Sequence, residues 1–171
     1  MQMDPKKSRI EQLFLETYDI YADAIFRYCY IQTSDRELAK DLTQESFAKF
    51  WQYMQGGKEI LQPRPFLYKI AANLVIDYRR KKKTVSLEKM MEQGFDYGEG
   101  DEAKSKEIKF EGEKAIQAIK NLDEKYRDVL TLRYVDEMSI KEIAGIVGES
   151  ENNVSVRIHR GLEKLRELVA R

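Results

Sequence analysis

Apolar residues recur at helical spacing along most of the chain, and strict apolar–polar alternation is scarce. Ile10, Leu13, Phe14, Tyr18, Tyr21, Ile25 and Phe26 keep a three- and four-residue rhythm and predict one long helix. Ser34-Asp35-Arg36-Glu37 reads as a capping box in which Ser34 and Glu37 satisfy each other's backbone donors. It predicts a second helix through Leu38, Leu42, Phe47, Phe50 and Trp51, stopped at Gly56-Gly57. Pro65 is placed to begin a third helix that buries Leu67, Ile70, Ala71 and Leu74 and ends in the cation block 79–83.

The second half carries its own pattern. Leu122, Tyr126, Val129, Leu130 and Leu132 predict one helical stretch reaching Arg133-Tyr134. Ser139 and Glu142 form a further capping box, opening a short helix with Ile140, Ile143, Ala144 and Val147 inward. Gly148 stops it, and Ser150 caps a last helix whose buried residues are Val154, Ile158, Leu162 and Leu165. Two short helices joined at a glycine turn, the second continuing long and polar, form a helix-turn-helix pattern, although an antiparallel helical hairpin that never meets DNA would look similar. The fold class is therefore all-α: two small helical domains, 8–83 and 112–171, joined by a flexible acidic linker at 84–111. Three of the nine glycines fall in 94–100, which marks that linker.

Composition narrows the chemistry. One Cys and one His supply neither a disulfide nor a zinc site, so no metal or cofactor is expected. No apolar run approaches the ~20 residues of a membrane span, and no signal peptide follows Met1, so a cytoplasmic chain without membrane insertion is expected. The 30 basic and 30 acidic residues cancel, which on its face argues against nucleic acid. Their distribution does not. Residues 66–83 hold six cations against Asp77 alone, and 84–113 hold nine anions against four cations.

Faces follow from about 100° per residue. With Val154 inward on the last helix, Asn152, Val156 and His159 fall opposite, flanked by Ser155 and Arg160, as base readout in a major groove requires. Arg157 lies nearer the buried side and suits a phosphate. On the third helix Tyr68, Ala72, Asn73, Ile76, Arg79 and Arg80 form a stripe suited to an opened strand, or else the outer face of an ordinary amphipathic helix. On the second helix Asp41, Gln44, Glu45 and Ala48 share a polar face. No nucleophile or phosphate loop accompanies these carboxylates, so docking of a basic partner explains them better than acid–base catalysis.

Three segments together resemble one family. Glu37-Leu38-Ala39-Lys40-Asp41-Leu42-Thr43-Gln44-Glu45-Ser46-Phe47, continued to Trp51, looks like the polymerase-clamp-binding helix of extracytoplasmic-function (ECF) sigma factors. Phe66-Leu67-Tyr68-Lys69-Ile70-Ala71-Ala72-Asn73-Leu74-Val75-Ile76-Asp77-Tyr78-Arg79-Arg80 resembles their promoter-melting, minus-ten helix. Leu130-Thr131-Leu132-Arg133-Tyr134, then Ser139-Ile140-Lys141-Glu142-Ile143-Ala144 and Val154-Ser155-Val156-Arg157-Ile158-His159-Arg160-Gly161, is similar to their minus-thirty-five domain. The matches stand in the family's order across about 10–168. Ala72 replaces a residue that is basic in many members, and the loop 55–65, part of the family's flipped-base pocket, does not map residue by residue. With nothing long after Arg171, subtypes with an extra regulatory domain are not expected.

The resemblance implies a non-catalytic, dissociable initiation subunit of bacterial RNA polymerase. Asp41, Leu42, Gln44, Glu45, Phe47 and Trp51 would dock on the polymerase clamp helices, and the C-terminal domain would reach the flap. Tyr68, Asn73, Ile76, Arg79, Arg80 and Lys83 would hold the opened minus-ten strand. Asn152, Asn153, Ser155, Val156, Arg157, His159 and Arg160 would read the minus-thirty-five duplex of the promoter DNA. The acidic linker would thread the polymerase channel toward the RNA exit, and an anti-sigma factor would cover the working faces. A stand-alone helix-turn-helix regulator or a protein-only helical adaptor remains the alternative.

Overall fold

Helix α1, Pro5–Thr33, and α2, Arg36–Gln55, form an antiparallel pair closed by aromatic packing. Phe14 meets the Trp51 ring edge-on at 5.1 Å and the Phe47 ring at 6.2 Å, and Tyr18 lies 4.8 Å from Phe47. The computed structural model describes residues 5–93 and 111–171, and helices make up nearly all of them. The glycine-rich stretch 94–100 and most of the expected linker lie outside the described residues.

The α1–α2 junction differs from the expected capping box. Ser34 takes a left-handed φ of 56°, whereas an N-cap needs extended backbone. Asp35 is the cap instead, its carboxylate accepting from the Leu38 N–H at 3.0 Å. Glu37 pairs with Lys40 at 2.9 Å rather than reaching back. Buried hydroxyls on α2 are satisfied locally: Thr43 and Ser46 donate to the carbonyls of Ala39 and Leu42. Cys29 is buried beside them, and desolvation pushes its thiol up to about 12, so it is unreactive at neutral pH.

Helix α3 runs from Pro63 to Gln93, longer than expected at both ends. Pro63 and Pro65 both sit in the first turn, where a missing N–H breaks no helical bond. The cation block 79–83 does not end the helix, because Arg and Lys are good helix formers and no Gly or Pro intervenes before Gly94.

Five segments follow: α4 Glu111–Lys120, α5 Glu124–Leu130, a π turn Thr131–Val135, α6 Ile140–Val147 and α7 Glu151–Val169. The stretch expected as one helix over 122–134 begins only at Glu124, Leu122 lying in the turn after α4, and its last turn is widened. Asp136 N–H returns to the Thr131 carbonyl and Met138 N–H to that of Leu132, with Glu137 at φ 53°. The helix-turn-helix stands as expected. Ser139 and Glu142 complete a capping box, Gly148 takes φ 71° and Ser150 accepts from the Asn153 N–H. Buried Gly161 lets α7 approach α5, since a Cβ there would stand 3.2 Å from Leu130.

The two halves are packed together. Helix α3 lies on α6, and α1 touches α4, α5 and the π turn, so buried residues of both halves form one continuous core. Full burial of a side chain such as Phe50 in that core contributes about 3 kcal/mol.

Candidate nucleic-acid and protein interfaces

On α2 the polar face is open. Asp41, Gln44 and Glu45 are exposed, and Glu45 stands 3.9 Å from Lys49. Leu42 and Phe47, expected among the polymerase-docking residues, are instead buried in the core and fix the helix from beneath, while Trp51 is half-buried against Phe14. A partner meeting α2 therefore meets carboxylates and an amide, with large apolar groups behind them.

Helix α3 is buried on two faces, and this splits the stripe expected there. Asn73, Ile76, Arg80 and Lys83 are exposed; Arg80 lies 3.8 Å from Asp77 and Lys83 3.6 Å from Glu124. Tyr68, Ala72 and Arg79 are not free. Tyr68 is 1% exposed, and its hydroxyl donates to Asp136 Oδ1 at 2.7 Å. The Arg79 side chain is 11% exposed; its Nη1 lies 3.1 and 3.3 Å from the two Asp128 oxygens. Tyr68, Ala72, Val75 and Arg79 share one helical stripe, and the carboxylates that hold its two ends come from the C-terminal half.

A polar network joins these anchors. Gln32, buried at the end of α1, accepts from Arg79 at both its side-chain and main-chain oxygens, and its Nε2 donates to Thr131. Arg127 also donates to the Gln32 carbonyl, and to that of Leu122. Asp136 accepts in addition from Arg27 at 3.4 Å, and its main-chain oxygen accepts from Arg64. Burial raises the carboxyls of Asp136 and Asp128 above the ordinary range, against the Tyr68 hydrogen bond and the Arg27 charge for one and Arg79 for the other. Burial first, then the Asp136 charge, raises the Tyr68 hydroxyl. Asp136 Oδ2 and Arg127 Nε are buried without a hydrogen-bond partner. None of Gln32, Arg27, Arg64, Arg127, Asp128 or Asp136 was marked by a motif. The segment 114–138 has five charges of each sign, which looks inert in one dimension.

On α7, Asn152, Asn153, Val156, His159 and Arg160 are exposed and Ser155 is half-buried, while Val154 and Ile158 face the core. His159 lies 3.3 Å from Glu163, one turn on. Arg157 differs from its expected phosphate role: it turns back to the Lys125 carbonyl and to Glu149, bracing α7 against α5 and the turn.

Among the described residues the chain is helical, its last helices forming a capped helix-turn-helix joined to a three-helix unit with an exposed acidic face. The family matches give that arrangement its class, a transcription initiation subunit. Sigma-70 region 2 matches residues 17–85 and sigma-70 region 4 matches residues 112–165. The chain belongs to the ECF RNA polymerase sigma factors, which direct promoter-specific initiation. It is similar to the ECF RNA polymerase sigma factor SigW of Bacillus subtilis (strain 168), 32% identical over 177 residues, covering 94% of this chain and 95% of SigW. SigM of the same organism is 31% identical over 158 residues, covering 91% and 94%. Among solved structures, the sigma factor RpoE bound to the anti-sigma factor NepR from Bartonella quintana aligns with a TM-score of 0.73 at 18% identity, covering 92% of this chain and 96% of RpoE. CnrH bound to the cytosolic domain of CnrY aligns with a TM-score of 0.66 at 20% identity, covering 94% and 89%. These two likenesses concern the fold. Among the described residues no helix is long and apolar enough to cross a membrane.

Proposed function

We propose that residues 8–83 and 112–171 work as two promoter-facing modules joined by 84–111, on a non-catalytic subunit acting in the cytoplasm with core RNA polymerase. Asp41, Gln44 and Glu45 dock on the clamp helices, with Leu42, Phe47 and Trp51 holding that face in shape. Asn73, Ile76, Arg80 and Lys83 meet the opened minus-ten strand, and Tyr68 and Arg79 join them once uncovered. Asn152, Asn153, Ser155, Val156, His159 and Arg160 enter the minus-thirty-five major groove. The acidic segment 84–111 threads the polymerase channel, and the C-terminal module reaches the flap.

One observation carries this reading. An uncovered acid-and-amide face on α2 and an uncovered recognition-type face on α7 occur on one chain. A regulator that binds DNA alone has no use for the first, and a protein-only adaptor has none for the second. A chain of zero net charge binds DNA weakly through phosphates, so affinity comes from polymerase joining two weak contacts at fixed spacing. RpoE was solved with an anti-sigma factor; we extend that partner class to this chain, with the α2 and α3 faces covered in the complex.

The test is reconstitution. Purified chain added to core RNA polymerase should yield run-off transcripts from specific promoters of the source genome. No transcript from any promoter, together with no polymerase binding, overturns the reading.

A further inference from the structure

Val156 stands in the middle of the exposed face of α7. Asn152 lies one turn before it, His159 and Arg160 lie one turn after, and all three are exposed. Val156 is itself 40% exposed, an apolar side chain set among hydrogen-bonding ones. Packing among the described residues does not account for it. Val154 and Ile158, two positions to either side, fill the core, and Val156 points away from them. Helix formation does not call for it either, because a β-branched residue is a poorer helix former than Ala. The face is held firmly in place. Gly161 brings α7 against α5, where a Cβ would stand 3.2 Å from Leu130. Arg157, next to Val156, is tied to the Lys125 carbonyl and to Glu149. Branching at Cβ adds to this stiffness, since it leaves a helical valine one strongly preferred rotamer.

We infer that Val156 is a thymine reader: its methyl groups rest on the C5-methyl of one thymine in the minus-thirty-five element. The inference rests on the reading of α7 as the recognition helix. Base edges in the major groove present hydrogen-bond donors and acceptors, and the thymine methyl is the apolar group among them. A valine makes no hydrogen bond, so it gains nothing from an amine or a carbonyl edge. Against the methyl it removes apolar surface of both partners from water. A contact of this kind tolerates little play, which suits a stiff side chain on a braced helix. Asn152 and Arg160, four residues to either side, stand about 6 Å along the helix axis from Val156. That spacing leaves each of them its own base pair, so one apolar reader works between two polar ones.

The test uses holoenzyme, assembled from the full chain and core polymerase, on a promoter duplex that it transcribes. Each thymine of the minus-thirty-five element, on either strand, is replaced in turn by deoxyuridine, which pairs in the same way and lacks only the methyl. With the parent chain one replacement should weaken binding about fourfold, the worth of one buried methyl group. Holoenzymes with Val156→Ala and with Val156→Ser should bind the thymine duplex more weakly by a similar factor. The serine variant should no longer distinguish deoxyuridine from thymine at that position. Val156 is exposed and Ala is the better helix former, so circular dichroism should show the fold intact. Three results overturn the inference: an element without an A·T pair, a parent chain indifferent to every replacement, or a sensitive position that stays sensitive in both variants. Holoenzyme with Asn152→Ala or Arg160→Ala separates the two ideas. Weakened minus-thirty-five binding there, with no methyl effect, leaves α7 as the recognition helix and removes Val156 as its thymine reader. Unchanged binding in both removes the recognition reading of α7 itself.

Discussion

Arg79 Nη2 lies 2.9 Å from Gln32 Oε1 and 3.2 Å from the Gln32 main-chain oxygen, so one guanidinium joins the last turn of α1 to the middle of α3. Gln32 in turn reaches Thr131 in the π turn, which makes a single buried amide the meeting point of three elements. Replacing Gln32 by Ala removes both side-chain bonds and leaves Arg79 and Thr131 short of partners. The expected loss is about 1–3 kcal/mol of folding stability, read by urea denaturation. A variant as stable as the parent would show that these bonds are replaced at no cost.

Asp136 gives a pH signature. Burial raises its carboxyl above the ordinary 3.8, so the folded chain keeps its proton to higher pH than the unfolded chain does. Its contribution to stability is full below 3.8 and is lost as pH rises through the folded value. Asn at this position cannot titrate. The stability of the parent relative to Asp136→Asn should therefore decline as pH rises above 3.8 and level off once the carboxyl is ionised. Paired thermal melts across that range check it, and a difference that grows with pH would reverse the sign.

Glu142 behaves oppositely. The Ser139 N–H holds its carboxyl below the ordinary 4.5, so the capping box stabilises above that value and weakens as pH falls through the lower folded one. Ser139→Ala should cost about 1 kcal/mol at neutral pH. That penalty should shrink in acid by the share owed to the Ser139 hydroxyl donating to the Glu142 carboxylate, since Ala keeps the N–H bond. An undiminished penalty there would assign the whole effect to the hydroxyl's acceptance from the Glu142 N–H.

Two arginines on α7 should separate cleanly. Arg157→Ala loses its bonds to Lys125 and Glu149 and should cost about 1 kcal/mol of stability. Arg160→Ala should leave stability within about 0.5 kcal/mol and weaken minus-thirty-five duplex binding by about 1–3 kcal/mol. Denaturation and duplex titration of both variants would expose an exchange of roles.

Charge reversal at Asp41 and Glu45, both to Lys, should lower affinity for core polymerase by at least about tenfold through like-charge contact. Both side chains are exposed, so the melting temperature should hold, and duplex binding through α7 should persist. Equal loss of polymerase and duplex binding would mean a damaged fold.

The helix-turn-helix was legible because its signals are local: Ser139 and Glu142 three residues apart, a glycine at the left-handed position 148, Ser150 before the last helix. The acidic face of α2 was legible for the same reason. Other features depended on neighbours that a linear reading does not supply. Ser34 and Asp35 are adjacent N-cap residues, and only the path of the chain decides which one caps. Periodicity places Tyr68 and Arg79 outward because it reveals one buried stripe but not a second. That second stripe is made by Asp128 and Asp136, which lie 49 and 68 positions away.

The π turn at Thr131–Val135 sets how α6 and α7 are phased against α5 within the C-terminal half. A π turn holds one residue more than an α turn, so it acts as a one-residue spacer set just before Asp136. Deleting one residue there would restore a regular helix and rotate everything downstream by about 100° with a shift of about 1.5 Å. That rotation would lift α7 from α5, where Gly161 meets Leu130 and Arg157 reaches the Lys125 carbonyl, and Asp136 would no longer point at Tyr68. The angular register of α6 and α7 on α5 is thus written in the length of one five-residue turn.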